Sequence, residues 1–252
     1  MDIDVRQEGP VAIIEMRRPP NNFLDLALIR DLAASFEAAD NRDDVRSIVL
    51  CAEGRNFCAG VNFGVAPATD QPFDPAPFYH EALRLFRCGT PVVAAVQGAA
   101  VGAGLGLALM ADFRVGTPET RFCANFTRIG IHPGFGLTVT LPRLVGAQQA
   151  ALLFYTGRRI DGNEALGCGL VDILADPDGL RTAAIQLATE IAQAAPLALT
   201  ATRRTLRHGL ADQVAAALAH EATEQKGHFA TQDFREGVTA GAERRLPQFK
   251  GC

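Results

Sequence analysis

The chain has 252 residues, which suits one large domain or one domain with an appendage. At 48% hydrophobic and 21% charged residues it has the composition of a globular protein with a substantial core. A net charge of −4 argues against wholesale nucleic-acid binding, so any anionic ligand has to be met by local cations. Six cysteines, Cys51, Cys58, Cys88, Cys123, Cys168 and Cys252, form no CxxC pair and lie mostly in apolar strings. That suits reduced thiols and a cytoplasmic setting. MDIDVRQEG shows no basic region followed by an apolar one, so no signal peptide is expected.

In chain order, Val11, Ile13 and Met16 mark one buried strand after a turn at Glu8-Gly9. Arg17-Arg18-Pro19-Pro20-Asn21-Asn22 ends it. Leu24, Leu28, Leu32 and Phe36 then recur every four residues, which predicts an amphipathic helix. Residues 46–51, RSIVLC, read as a short strand that leads into AEGRNFCAGVNF, a polar, glycine-bearing loop. Residues 64–77 hold four prolines and little periodicity, the mark of a functional or mobile loop. A helix with Tyr79, Leu83 and Phe86 on one face follows.

Pro91 to Asp112, PVVAAVQGAAVGAGLGLALMAD, opens with a β-branched run, loosens into Gly98, Gly102, Gly104 and Gly106, and closes as a buried helix. The first N–H groups of a helix have no partner within it, and glycines let a negative oxygen approach them. Taken alone, the stretch fits a tightly packed core segment equally well. Its central glycines and the lack of a basic flank argue against a membrane span.

A strand at Phe113–Val115 is followed by the turn-rich CANFTRIGIHPGFG. Pro142 suits the first turn of a helix carrying Leu144, Leu152 and Phe154. Asp161-Gly162-Asn163-Glu164 has the spacing of a capping box, and Leu170 to Leu174 reads as the last strand. From Pro177 onward the pattern is helical, with breaks at Ala195-Pro196, Gly209 and Gly227. The strand-rich part ends near residue 175, and the predicted division is a core domain over 1–195 and a helical region over 196–252.

The order of these pieces resembles the crotonase family of enoyl-CoA hydratases and isomerases. They are AEGRNFCAGVNF, the irregular segment and its helix, PVVAAVQGAAVGAGLGLALMAD, FTRIGIHPGFGLTVTLPRLVG, TGRRIDGNEALGCGLVD and the closing DFREGVTAGAERRLPQFKG. The resemblance implies an α/β fold, a spiral of repeated ββα units with a C-terminal helical trimerisation region, and a homotrimer or a dimer of trimers. It implies an acyl-CoA thioester substrate, no metal and no organic cofactor, since coenzyme A is part of the substrate. No nucleic-acid or membrane partner is expected. The shared chemistry it implies is stabilisation of an enolate-like oxyanion by two backbone N–H groups. By position these belong to Val61, after Ala59-Gly60, and to Ala103, within Gly102-Ala103-Gly104. Arg17 and Arg18, and Arg244, Arg245, Phe249 and Lys250 in the tail, match places where relatives meet coenzyme A. Asn62 stands where the family carries an aspartate.

The departures bear on mechanism. The two hydratase glutamates align with Gly106 and Phe126, and a further family aspartate aligns with Gly134, so none of the three is acidic here. Phe126 is left as a substrate-lining position. His132 is the nearest titratable candidate for an acid/base role, and a histidine that only hydrogen-bonds its loop reads equally well. Tyr79 reads as packing, His80 and Glu81 as surface, and Asn125 and Thr127 as turn and cap residues. His208, His220 and His228 read as solvated or interface positions. The expectation is an acyl-CoA enzyme with non-standard proton transfer; the alternative is a non-catalytic acyl-CoA-binding trimer.

Overall fold

The strand expected around Val11, Ile13 and Met16 is present, and residues 3–8 form a second strand that pairs with it as a hairpin. In the computed structural model, which describes residues 2–64 and 74–252, β1 (Ile3–Glu8) and β2 (Val11–Met16) pair antiparallel around Gly9, whose φ is +57°. Every residue of β2 is buried. Ala12, Ile14 and Met16 face the main core, while Val11 and Ile13 face a second one. A strand buried on both faces loses the alternation by which a half-exposed strand is recognised.

α1 (Leu26–Asp40) starts at Asp25, whose side chain accepts from the Leu28 N–H, so Leu24 lies before the helix. β3 (Ser47–Ala52) and α2 (Ala76–Phe86) follow. Most of the proline-rich segment expected at 64–77, residues 65–73, lies outside the described residues. The stretch from Pro91 then makes two strands and a helix: β4 (Val92–Ala95), β5 (Ala99–Val101) and α3 (Ala103–Met110). β6 (Phe113–Gly116) and β7 (Arg121–Cys123) repeat the strand pair, and a 3₁₀ turn spans Phe126–Ile129.

Pro142 does not open a helix. It falls inside α4 (Leu137–Val145), and Gly146, at φ +79°, separates α4 from α5 (Ala147–Thr156). A proline in the second turn of a helix forfeits one early backbone bond, which α4 tolerates because its start is capped from outside, as described below. β8 (Arg159–Ile160), α6 (Gly162–Gly167) and β9 (Ile173–Leu174) complete the mixed part, and the expected capping box is present with both of its hydrogen bonds.

The strands form two sheets. The larger runs β1-β2-β3-β4-β6-β9, parallel beyond the first pair, and the smaller runs β5-β7-β8. β4 and β6 therefore lie in one sheet while their successors β5 and β7 pair in the other. Cys58, beyond β3, bridges Ala100 of β5 in the same sense. The chain thus winds as a spiral of strand, strand and helix.

α7 (Leu180–Ala192) is no appendage. Its Leu180, Ala184 and Ala188 close the second core over Val11, Ile13, Val49 and Val93. α8 (Pro196–Leu206), α9 (Leu210–His228) and α10 (Gln232–Glu243) follow. α9 packs on α2 and α4, and α10 on the 3₁₀ turn. Cys51, Cys58, Cys88 and Cys123 are buried, and burial pushes the Cys58 thiol up to about 12. Among the described residues no helix is long and apolar enough to cross a membrane.

One carboxylate ties α8 to the body of the fold. Asp112 accepts from the Val92 N–H at 2.8 Å, from Arg203 Nε at 2.8 Å and from Arg207 Nη1 at 2.9 Å. Arg203 also donates to the Cys88 carbonyl at 2.6 Å, and Arg207 to the Met110 carbonyl at 3.0 Å. Removing one partner of a buried ion pair leaves the other charges uncompensated and typically costs about 3–5 kcal/mol. Asp112→Ala is expected to lose stability on that scale, read as a lower urea midpoint with an unchanged m-value.

Candidate active site

The loop after β3 and the start of α3 are pressed together. The Ala59 N–H donates to the Asn21 carbonyl at 2.9 Å, and the Gly60 carbonyl accepts from the Leu24 N–H at 2.8 Å, which holds the loop to the segment before α1. Gly60 has φ +85°, and a Cβ there would stand 2.6 Å from the Val101 carbonyl oxygen. A Cβ on Gly104 would collide with the Cys58 carbonyl. Side chains at either position would force the two backbones apart.

This contact brings Val61 and Ala103 to the lining of one cavity of ≈ 470 Å³. Neighbouring amides are already used: Val101 N donates to Cys58 O at 3.0 Å and Gly102 N to Cys123 O at 2.9 Å. Among the described residues, the Val61 and Ala103 N–H groups donate to no protein acceptor. All eight residues of α3 are buried, so its positive N-terminal end acts with little solvent screening. Ala59, Gly60, Asn62, Gly102 and Phe126 share the lining, while Gly104 lies behind it. The rest is largely apolar, with Phe23, Phe63, Phe78, Tyr79 and Phe229 among it. Phe63, Phe229 and Phe234 pack with ring centroids 5.0–5.8 Å apart, and Phe63 and Phe229 face the cavity.

Neutral groups fill all three places where the family resemblance put an acid or base. A Cβ on Gly106 would stand 2.6 Å from the ring of Phe135, which is fully buried at φ +61°. The Phe126 ring is 5% exposed and lies against Gly102. A Cβ on Gly134 would collide with the Tyr79 hydroxyl and come 2.6 Å from Gln225 Nε2. Among the described residues, no aspartate or glutamate lines the cavity, and no group of three or more His, Cys, Asp and Glu could hold a metal.

Behind Gly134 runs a polar network. Tyr79 donates to Gln225 Oε1 at 2.7 Å, and Gln225 Nε2 donates to the His132 carbonyl at 2.8 Å. Burial pushes the Tyr79 phenol well above its ordinary value, and the charge of Glu221 acts in the same direction. Glu221, itself fully buried, accepts from Gly136 N at 2.8 Å, Thr138 N at 3.2 Å and Thr138 Oγ1 at 2.6 Å. It caps α4 from α9, and burial raises its carboxyl. Neither Glu221 nor Gln225 was singled out in the sequence. The signal was their place on the buried face Leu210, Val214, Leu218, Glu221, Gln225, where a helix spacing of three and four carries polar residues onto an apolar stripe.

Other expected positions stay outside the cavity. His132 Nδ1 lies 2.7 Å from the Pro133 carbonyl, and its ring sits edge-on to His220 at 5.6 Å. Arg17 pairs with Asp4 at 2.8 Å and Glu15 at 2.9 Å, and Arg18 with Asp25 at 2.6 Å and with Asp2. Phe249 lies with Tyr155 and Leu246 in a separate shallow pocket. The Lys250 N–H donates to Asp233 at 2.7 Å beside α10. Thr127 Oγ1 donates to the Phe154 carbonyl at 2.6 Å, Glu81 pairs with Arg84, and His80 is exposed.

Comparison with known proteins places the chain in a family. The family model described as enoyl-CoA hydratase/isomerase matches residues 6–252. The chain is 33% identical to the 2,3-dehydroadipyl-CoA hydratase of Escherichia coli over 254 residues, covering 99% of each chain. It is 30% identical to the short-chain-enoyl-CoA hydratase of Clostridium acetobutylicum over 250 residues, covering 97% of this chain and 95% of the relative. A crystal structure of an enoyl-CoA hydratase/isomerase from Pseudoalteromonas atlantica superposes with a TM-score of 0.90 at 29% identity, covering 99% of this chain and 100% of that one.

The packing of Phe135 on Gly106 can be tested directly. Overpacking a core typically costs about 1–3 kcal/mol, and Gly106→Ala is expected to lose stability on that scale. Combining it with Phe135→Leu should cost less than the sum of the two single changes in urea unfolding, because the smaller side chain clears the space.

Proposed function

The chain belongs to the enoyl-CoA hydratase/isomerase family, and we propose that it acts on an acyl-CoA thioester by holding the developing enolate oxygen between the Val61 and Ala103 N–H groups. The observation that carries this is the meeting, on one largely apolar cavity, of two backbone donors uncommitted among the described residues. Such donors need no reorganisation as charge develops, and one of them typically contributes about 3 kcal/mol in the transition state. The names of the Escherichia coli and Clostridium relatives, both hydratases of enoyl-CoA compounds, support an acyl-CoA substrate.

Proton transfer follows a different route from one built on two glutamates. General acid–base groups contribute roughly 10²–10⁴-fold each. The Phe135 ring, Phe126 and the Tyr79–Gln225 pair are neutral and occupy their places. A buried phenol whose pKa is raised stays protonated and is a poor base. With no carboxylate among the described cavity residues, this reading moves the proton through water or through a group on the substrate rather than between two glutamates. The same reading includes a homotrimer or a dimer of trimers, with coenzyme A reached by Arg17, Arg18, Phe249 and Lys250; the exposed Leu197 and Leu206 of α8 support a subunit interface. A second reading, acyl-CoA binding without turnover, is favoured by the carboxylate-free lining and disfavoured by the two free donors, which binding alone does not require.

One experiment separates the two readings. The purified protein is incubated in D₂O with crotonyl-CoA and a panel of other acyl-CoAs, and each is followed by mass spectrometry. Deuterium at the α-carbon, or turnover, is expected for at least one thioester, with crotonyl-CoA hydration roughly 10²-fold or more below that of a two-glutamate hydratase. Hydration at a full hydratase rate would overturn the proton-transfer reading. Binding with no exchange across the panel would leave the binding-only reading.

A further inference from the structure

The polar side chains of the cavity divide according to whether the protein already uses them. Asn62 Oδ1 accepts from the Gly64 N–H at 3.1 Å. The Tyr79 hydroxyl and the Gln225 carboxamide hold each other, and Gln225 also holds the His132 carbonyl. Arg159 is exposed, and its charge bears on the Cys123 thiol. Asn125 is half-buried, with a neutral carboxamide that no protein group among the described residues holds.

Asn125 stands at the N-cap position of the Phe126–Ile129 turn, yet its side chain makes no capping hydrogen bond. Among the described residues it has no other partner. It lines the cavity, and its Oδ1 lies 3.3 Å from where a Cβ on Gly102 would stand, beside the residue that carries the Ala103 N–H. Because Gly102 has no side chain, nothing from that residue comes between the carboxamide and the Ala103 donor. Half-buried on the cavity wall and held by no protein group among the described residues, the carboxamide is available to a ligand there. No bond fixes which end of the amide points inward, so the NH₂ group is free to turn toward negative charge.

We propose that the Asn125 carboxamide is a third donor to the thioester oxygen, acting beside the Val61 and Ala103 N–H groups as the enolate forms. This rests on the reading of the cavity as an acyl-CoA site. Asn125 is a catalytic residue in the sense that it touches the reacting oxygen. It moves no proton, so it fits a site whose carboxylate positions are filled by neutral groups. Side-chain amides are established oxyanion donors in other enzymes, where removing one costs roughly 10²–10³-fold in turnover. A third donor in a site that keeps two backbone amides should cost less.

The test uses two probes with the intact protein: acetoacetyl-CoA, whose enolate absorbs in the near ultraviolet, and butyryl-CoA, which forms no stable enolate. The wild type is expected to enrich the enolate of bound acetoacetyl-CoA. Asn125→Ala should weaken enolate binding at least tenfold and leave butyryl-CoA within about twofold. Asn125→Asp should weaken enolate binding further, since a carboxylate would face an anion. Asn125→Ser, which keeps a donor on a shorter arm, should recover part of the loss. Unchanged enolate binding in Asn125→Ala, or an equal loss for both probes, would overturn the proposal. Faster α-proton exchange in Asn125→Asp would overturn it in a different way, by marking position 125 as a place for a base. If the wild type bound neither probe, the acyl-CoA reading itself would fail and this inference with it, an outcome distinct from the others.

Discussion

The site depends on how closely two backbones approach. Cys58 pairs with Ala100, the Val101 N–H donates back to Cys58, and glycines at 60 and 104 remove the side chains that would hold the loop and the helix apart. The two free amides come from different turns of the spiral, so their alignment is a property of the whole winding rather than of either loop. The donors are main-chain groups, and Ala103 opens a helix buried throughout, so their positions vary little with side-chain rotamers. Such preorganisation is what electrostatic catalysis requires.

Much of this was legible in the sequence, and the exceptions have physical causes. α1 followed from leucines four residues apart, and α6 from a capping box whose hydrogen bonds both exist. β2 was legible from Val11, Ile13 and Met16 after the Glu8-Gly9 turn, whereas β1 was not, because its residues are half-buried or exposed and mostly polar. α4 begins before Pro142 because Glu221, eighty-odd residues away in sequence, caps its first turn. No local pattern encodes a cap delivered from another helix. The meeting of Val61 and Ala103 on one cavity was legible through glycine spacing and family resemblance together. The Tyr79–Gln225 pair was not, because its meaning lies in the space that Gly134 leaves open.

The cavity replaces charge with neutral groups. Aromatic rings take the two glutamate places, at Gly106 and Phe126, the Tyr79 phenol and Gln225 carboxamide take the third beside Gly134, and the buried Glu221 carboxylate is spent on the start of α4. Burial favours this arrangement, since neutral polar groups with partners are far cheaper to desolvate than an unpaired anion. The resulting interior can polarise a carbonyl but offers little basicity of its own.

The ring of Phe135 on Gly106 also constrains how this sequence can change. A glutamate at position 106 would need space that a fully buried aromatic side chain now fills. Making that space first, by shrinking Phe135, would leave a void in the core before any carboxylate arrived to use it. Each single step toward a two-glutamate site passes through a less stable protein, and a native fold has only a small margin of stability to lose. The packing therefore closes position 106 to a carboxylate by one-step change.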